Sequence, residues 1–564
     1  MTSAVIEAAD GLELTVGSLL AARTSERPDQ VLLAVDDARL TYAEAERRSA
    51  ELARALLGAG AGWGTRVGIL HPNGPEFVVA WLAAARIGAL SVPLSTFSTS
   101  AELVGLLRGA DVALLVAAAA YRSQDYVASL AAGIEGLDLS APPPLLSEAT
   151  PSLRRVVFDL EDPGPAGRAV DPGWTLRGLL AAAPAAGVEV LAAAEAAVSP
   201  ADRMVIVHTS GSTSEPKGVI HTHGALIRHQ DNLNQLRRYV PGEILFSNSP
   251  FFWIGGFAYA LLGTLVAGAT LVCSNAPTGA GVLDVLERER PTMVNGFAAS
   301  VAHVAQDPTF ASRDLSSIRR GNLYPIMPAA VRPADPELHH NMLGMTEAGS
   351  VCLASDDESE QPEHRRGSFG RPVPGFEMRV RAAGGRACAP GEVGELCFRG
   401  PFLMEGYDGR EHHETFDADE WYRTGDLVTV DGEGFVYFRG RSSDMIKTAG
   451  ANVSPREVEA AILEVAGLVA HVVGLDDPAR GQIVAALIRA PAAGADDTPG
   501  DGTAGAEGGV DLEDLRARLR ERLSGYKVPK LMVVVAAADV PMMSSGKIDQ
   551  RALKELLARP GAPR

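Results

Sequence analysis

Cysteine is scarce: the 564 residues carry four, Cys273, Cys352, Cys388 and Cys397. No pair has CxxC spacing, which argues against a zinc ribbon or a redox dithiol. A disulfide framework is unusual in a chain this long, so a reducing, cytoplasmic setting is expected. Positive charge is in deficit. The formal net charge of −19 speaks against nucleic-acid binding, which needs a basic face. Long apolar runs are missing too. The most apolar window, Leu179 to Val198, is interrupted by Pro184, Glu189 and Glu195, so no membrane span is expected. Met1 to Asp10 contains acids and no basic-then-apolar run, and no secretory signal is read there.

What is present is an ordinary globular composition, 46% hydrophobic and 21% charged. At this length two or three domains are expected. Short apolar runs alternate with helical patterns: strand Arg66–Leu70, helix Glu76–Ile87, strand Leu90–Leu94, helix Ala101–Leu107, strand Val112–Val116. The alternation resumes at Arg203–His208 and runs through Ala225–Arg238, Glu243–Ser247, Phe257–Ala267, Thr270–Cys273, Gly281–Glu289 and Thr292–Asn295. Strands separated by such helices predict βαβ units and a parallel sheet, an α/β fold. From about Gly367 shorter strands follow, at Glu395–Arg399, Leu427–Val430 and Phe435–Phe438, with a hairpin turn at Asp431–Gly434. After Ser454 the order helix, strand, strand, helix, strand predicts a small α+β domain. Pro163–Trp174 and Ala490–Val510 read as loop insertions.

Thr209-Ser210-Gly211-Ser212-Thr213-Ser214-Glu215-Pro216-Lys217-Gly218 directly follows the apolar run Met204–His208. Small and hydroxylated residues let a backbone approach a polyphosphate closely and donate to its oxygens, while Lys217 adds a mobile positive charge. It is not the Walker sequence, and alone it reads equally as a surface turn. Leu343-Gly344-Met345-Thr346-Glu347 offers a hydroxyl beside a carboxylate, a pair that alone is commonly a helix N-cap. Tyr422-Arg423-Thr424-Gly425-Asp426 ends on a carboxylate, which suits a vicinal diol because it has two acceptors and no competing donor. Two further segments complete the set: Gly440-Arg441-Ser442-Ser443-Asp444 continuing through Gly450 to Glu459, and Pro541-Met542-Met543-Ser544-Ser545-Gly546-Lys547-Ile548.

In this order the segments resemble the adenylate-forming superfamily of acyl- and aryl-CoA synthetases, peptide-synthetase adenylation domains and luciferases. The resemblance runs from Leu40-Thr41-Tyr42 to Lys547. It implies a large N-terminal domain, residues 1–440, with parallel sheets sandwiched by helices and a small β-subdomain. A mobile α+β C-terminal domain, residues 441–564, would hinge about Ser443. It also implies roles. Thr209, Ser210, Gly211, Ser212, Thr213 and Lys217 would close over the β- and γ-phosphates of ATP. Thr346 would donate to the α-phosphate and Glu347 would hold Mg²⁺. Asp426 would take the ribose hydroxyls, and Arg441 ribose or phosphate. Gly450 would let the pantetheine of coenzyme A pass, and Lys547 would bridge the acid's carboxylate and the α-phosphate. By the same resemblance the acid would attack the α-phosphorus, pyrophosphate would leave, and the coenzyme A thiol would take the acyl group from acyl-AMP. Positioning and charge placement dominate such chemistry.

Several positions depart from the family pattern. Ser214 and Ser443 replace commoner residues. At the adenine, Leu343 stands before Gly344 where an aromatic is usual, and Arg320-Gly321-Asn322-Leu323-Tyr324-Pro325 keeps one glycine and gains bulk. Pro250-Phe251-Phe252-Trp253-Ile254-Gly255-Gly256 resembles the segment lining the acyl pocket, with Trp253 where histidine is common. Phe252 and Trp253 read as pocket wall or as core aromatics; Gly255 and Gly256 would leave room for a long or ring-containing acid. The expected function is an acyl-CoA synthetase acting on a hydrophobic or ring-containing acid. Alternatives are thioester formation from a preformed acyl-AMP with weak adenylation, loading of a carrier protein, and non-catalytic binding of acyl-AMP. The expected partners are the acid or its acyl-AMP and coenzyme A, with no nucleic acid and no membrane; a homodimer is the oligomer considered.

Overall fold

The computed structural model describes residues 11–160, 170–182, 187–209, 216–442, 444–448, 451–477, 480–490, 510–523, 525–543 and 547–559. The chain forms two compact units: residues up to Met378 with Phe398–Tyr422, and Arg379–Cys397 with Arg423 onward. Most of the two loop-like insertions lies outside the described residues.

The first unit is built on two large sheets. One runs, in spatial order, Gly406–Tyr407, Lys217–Thr222, Arg203–Thr209, Leu90–Pro93, Arg66–Leu70, Leu114–Ala118 and Arg155–Asp159. From Arg203–Thr209 onward its strands are parallel, while Lys217–Thr222 and Gly406–Tyr407 add antiparallel edges. The other sheet runs Arg320–Gly321, Met293–Val294, Ile244–Phe246, Thr270–Cys273, Val31–Val35 and Ala38–Thr41. It is parallel except for its last pair. The parallel βαβ expectation is met.

The helix Pro75–Arg86 buries every residue but Glu76, as a helix apolar on all sides must. Gly74 and Pro75 start it, proline being pre-organised for the first turn. Trp81 packs edge-on against Phe257 at 5.2 Å between centroids, and Phe77 against Phe251 at 5.3 Å. Its final Arg86 is 4% exposed and meets Glu46, Glu195 and the Ser49 hydroxyl, so the buried charge is compensated. Thr41 with Glu44, and Thr99 with Glu102, close reciprocal capping boxes on the helices before and after it, Tyr42–Gly58 and Ser100–Gly109.

A four-stranded sheet of Glu377–Arg381, Gly394–Arg399, Tyr422–Val430 and Val436–Arg441 has most of its residues in the second unit. A further sheet joins Ala451–Val453, Ile446–Thr448, Gly481–Arg489 and Ala470–Asp477, with Leu531–Val535 pairing parallel to Gly481–Arg489. The helices Pro455–Ala466 and Leu512–Arg522 supply buried faces to its core, the α+β order expected. No helix among the described residues is long and apolar enough to cross a membrane.

His71, His221, His223 and His229 are buried in the first unit. Burial above all lowers their pKa to about 4, and that of His229 to about 3. An unfolded imidazole titrates near 6.5, so below that pH the unfolded chain binds more protons than the folded one. Stability should therefore fall from pH 6.5 down to about 4, by up to about 3 kcal/mol per histidine. His229 stacks on Phe402, and His229→Phe keeps a ring there without the titration. Urea midpoints measured across this range should fall less steeply in the variant; an unchanged slope would contradict the assignment.

Candidate functional site

Lys217 pairs directly opposite Thr209 in the antiparallel ladder, so the two strands that flank the expected phosphate segment are paired to their ends. Ser210, Gly211, Ser212 and Thr213 lie outside the described residues, as do Ser443 and Gly450. Side chains alternate along a strand, which puts Lys217, Val219 and His221 on one face. Val219 pairs with Tyr407 on the next strand, so Tyr407 joins that face. Asp408, beside it, is held by Arg66 through two hydrogen bonds of 2.8 Å.

The Thr346–Glu347 pair sits in a 3₁₀ turn, Thr346–Ala348, between the strands Leu343–Met345 and Ser350–Ala354. Both carbonyls of the pair are tied down. Thr346 O is 2.7 Å from His221 Nε2, and Glu347 O accepts from Met404 N at 2.8 Å. The Glu347 carboxylate accepts from the Tyr407 phenol at 2.8 Å, and that phenol lies 3.0 Å from the Tyr422 hydroxyl. Lys217 Nζ sits 5.1 Å from the Tyr407 ring centroid, within cation–π range. Burial first, then the Glu347 charge, push the Tyr407 phenol pKa up, so it stays a donor. Gly344 has a backbone reason: a Cβ there would lie 2.8 Å from Ser350 O.

At the expected adenine segment a Cβ on Gly321 would lie 1.9 Å from Val294 O, at φ +134°, so no other residue fits. Asn322 is a brace: its Nδ2 donates to Gly296 O at 2.9 Å and its Oδ1 accepts from Gly296 N at 3.0 Å. Leu323 is fully buried with Val294, Val301, Ile318 and Ile326. The bulk gained at this residue therefore goes into the core. Tyr324 is half-buried, and Leu343 likewise.

The segment expected to line the acyl pocket is aromatic on one side. Phe252 lies 5.4 Å from both Phe97 and Trp253, and Trp253 lies 6.2 Å from Phe297. Phe252 is buried, Trp253 half-buried, and Phe297 58% exposed, so the cluster runs from core to surface. Asn73 holds the segment from behind, accepting from Phe251 N at 2.8 Å and donating to Ser249 O at 2.9 Å. The two glycines differ. A Cβ on Gly255 would meet nothing within 4 Å, whereas one on Gly256 would lie 2.0 Å from Pro250 O. Of the two expected to leave room for the acid, Gly255 faces open space, while Gly256 is required by backbone packing.

The second unit brings Asp426, Arg441 and Lys547 together. Asp426 and Arg441 pair across antiparallel strands, and Arg441 Nε donates to the nearly buried Asp426 carboxylate at 2.9 Å. Lys547 O accepts from Met543 N at 2.7 Å, beside an antiparallel bridge between Met542 and Ile548. It stays open at the surface, yet partial desolvation first, and the Arg441 charge second, lower its ammonium pKa. Tyr407, His221, Asn73, Phe97 and Phe297 were not singled out by the sequence. Each acts through a partner distant in the chain, and no local motif marks it.

The pattern of an AMP-binding enzyme matches residues 20–408, and that of the AMP-binding enzyme C-terminal domain matches residues 457–547. A feruloyl-CoA synthase from Amycolatopsis sp is 32% identical, over 90% of this chain and 92% of its own length. The mitochondrial medium-chain acyl-CoA ligase ACSF2 of Homo sapiens is 29% identical, over 97% and 88%. The anthranilate CoA ligase AuaEII, solved with anthranoyl-AMP, superposes with a TM-score of 0.76 at 21% identity, covering 98% of this chain and 99% of that one. ATP-bound MatB from Rhodopseudomonas palustris gives 0.74 at 23%, covering 96% and 98%. At these identities the structural likeness speaks for the fold. The family match and the sequence relatives go further: the chain belongs to the AMP-binding enzymes of the adenylate-forming superfamily, as an acid–thiol ligase.

Proposed function

We propose that the chain converts a ring-bearing carboxylic acid to its coenzyme A thioester through acyl-AMP, with release of AMP. The aromatic run Phe97, Phe252, Trp253 and Phe297, opening beside Gly255, carries the substrate reading. Flat rings pack well edge-on or offset against such side chains, worth about 0.5–1.5 kcal/mol per pair beyond buried area. The 32% identity to a feruloyl-CoA synthase supports the same class. The turn at Glu347 fits Mg²⁺ through one carboxylate, since that ion takes most of its ligands from phosphates and water; bound there, it would neutralise phosphate charge. Thr346 and Lys217 bind phosphate oxygens, Asp426 the ribose hydroxyls, and Arg441 ribose or phosphate. Lys547 stabilises the anionic oxygens where carboxylate meets α-phosphate. The family resemblance assigns the hinge between the half-reactions to Ser443 and the thiol's passage to Gly450, both outside the described residues.

A second reading, thioester formation with feeble adenylation, rests on Leu343. Losing an aromatic stack costs about 0.5–1.5 kcal/mol, at most roughly tenfold in nucleotide affinity. That is too little to abolish adenylation. Leu343→Tyr should tighten ATP binding by up to about tenfold in calorimetric titration, and no tightening would remove the stacking argument.

The main test supplies ATP, coenzyme A and a panel of acids, scoring pyrophosphate and thioester separately. Ring-bearing acids should give both products; a preference for unbranched fatty acids would refute the substrate class. Lys547→Ala should lower pyrophosphate release by roughly 100-fold or more while sparing thioester formation from supplied acyl-AMP. Gly255→Phe should cut kcat/KM for a cinnamic-type acid by about tenfold or more through lost pocket volume, with acetate little affected. Equal losses for both acids would count against Gly255 as a pocket residue.

A further inference from the structure

We infer that Tyr407 is a positioning residue for ATP, aiming the Glu347 carboxylate and holding Lys217 apart from it. The inference rests on the proposed role of Glu347 and Lys217 toward Mg·ATP. Its basis is geometric. One phenol oxygen donates to Glu347 Oε1 at 2.8 Å and meets the Tyr422 hydroxyl at 3.0 Å. The same ring carries Lys217 Nζ at 5.1 Å from its centroid and Arg410 Cζ at 5.3 Å. Three segments that the sequence presents as separate signatures, those of Lys217, Glu347 and Tyr422, therefore converge on one side chain.

That side chain is itself fixed. Tyr407 is 7% exposed, its strand pairs with Val219 and Ile220, and Asp408 beside it is clamped by Arg66. A ring on so rigid a mount gives Glu347 one orientation, because its hydroxyl occupies Oε1 and leaves Oε2 as the carboxylate's other oxygen. The π face gives Lys217 a resting place without a hydrogen-bond partner for its ammonium among the described residues. Among the described residues, Lys217 and Glu347 form no ion pair with each other. A direct pair would spend the charge of each on the other, and triphosphate would have to break it. An uncharged bridge avoids that competition: the cation stays available to phosphate oxygens and the anion to a metal.

Tyr407→Phe separates the two duties, since it keeps the ring under Lys217 and deletes the hydrogen bond to Glu347. A hydrogen bond to a charged group contributes enough that its loss should weaken Mg·ATP binding, read by calorimetry, by roughly 10-fold or more. Binding of ATP without Mg²⁺ should change less than threefold. Pyrophosphate release should fall in step with Mg·ATP binding, through KM for ATP more than kcat, while thioester formation from supplied acyl-AMP stays within about twofold. Tyr407→Leu, which removes the ring as well, should also weaken Mg²⁺-free ATP binding. In a Glu347→Gln background the added Tyr407→Phe change should have little further effect, as coupled neighbours do. Unchanged Mg·ATP binding in Tyr407→Phe, equal loss of both half-reactions, or full multiplication of the two effects would overturn the inference. Absence of pyrophosphate release by the unaltered enzyme would instead overturn the proposed function.

Discussion

The register between the strands Arg203–Thr209 and Lys217–Thr222 is the constraint on which the first unit's chemistry depends. With Thr209 opposite Lys217 and Tyr407 opposite Val219, Lys217, His221 and Tyr407 share one face of the sheet. His221 then reaches the Thr346 carbonyl and Tyr407 the Glu347 carboxylate. A slip by one residue would turn all three to the other face. The opposite face is not free to receive them, because Ile206 and Ile220 are buried there in a second apolar cluster. Core packing thus fixes register, and register fixes the chemistry.

The core packed against this sheet face is apolar. The buried helix Pro75–Arg86 sets Phe77 and Trp81 against Phe251 and Phe257, on either side of residues 252–256, the proposed pocket wall. Gly256 lets that segment pass close to Pro250 O, and Asn73 satisfies backbone groups at Ser249 and Phe251. A glycine needed for backbone approach and a glycine that leaves open space sit side by side, and their sequence context is the same. The difference is visible in three dimensions alone, since it depends on where each absent Cβ would point.

The sequence was informative wherever a pattern is local. Strand Thr270–Cys273 appears with its expected bounds, Arg66–Leu70 likewise, and the helical run expected at Glu76–Ile87 is the helix Pro75–Arg86. Each is read from apolar periodicity and punctuation within a dozen residues. The segments bearing Lys217, Thr346, Glu347, Asp426, Arg441 and Lys547 were legible because their residue types and order are distinctive. Tyr407 was not. It belongs to a two-residue strand, too short for any periodicity, and its partner Glu347 lies 60 positions away. Leu323 was misleading for a related reason. Its bulk looked relevant to a ligand, but strand pairing at Gly321 turns it into the core, where a leucine is unremarkable.

The two units handle charge differently, and the difference matches what each is proposed to hold. In the second unit Asp426 and Arg441 pair directly, with Arg441 about half exposed and the carboxylate nearly buried. Such a pair keeps a buried anion compensated, and a carboxylate so held has acceptor capacity left for a neutral diol, which does not require the ion pair to break. Lys547 beside it faces the repulsion of Arg441, so neutralising it with an incoming anion relieves a local excess of positive charge. In the first unit the expected ligand is itself highly anionic, and a Lys217–Glu347 pair would compete with it. The phenol of Tyr407 lies between them as a neutral bridge, donating to the anion and facing the cation with its ring. Direct pairing suits the neutral ribose, and an interposed aromatic hydroxyl suits the triphosphate.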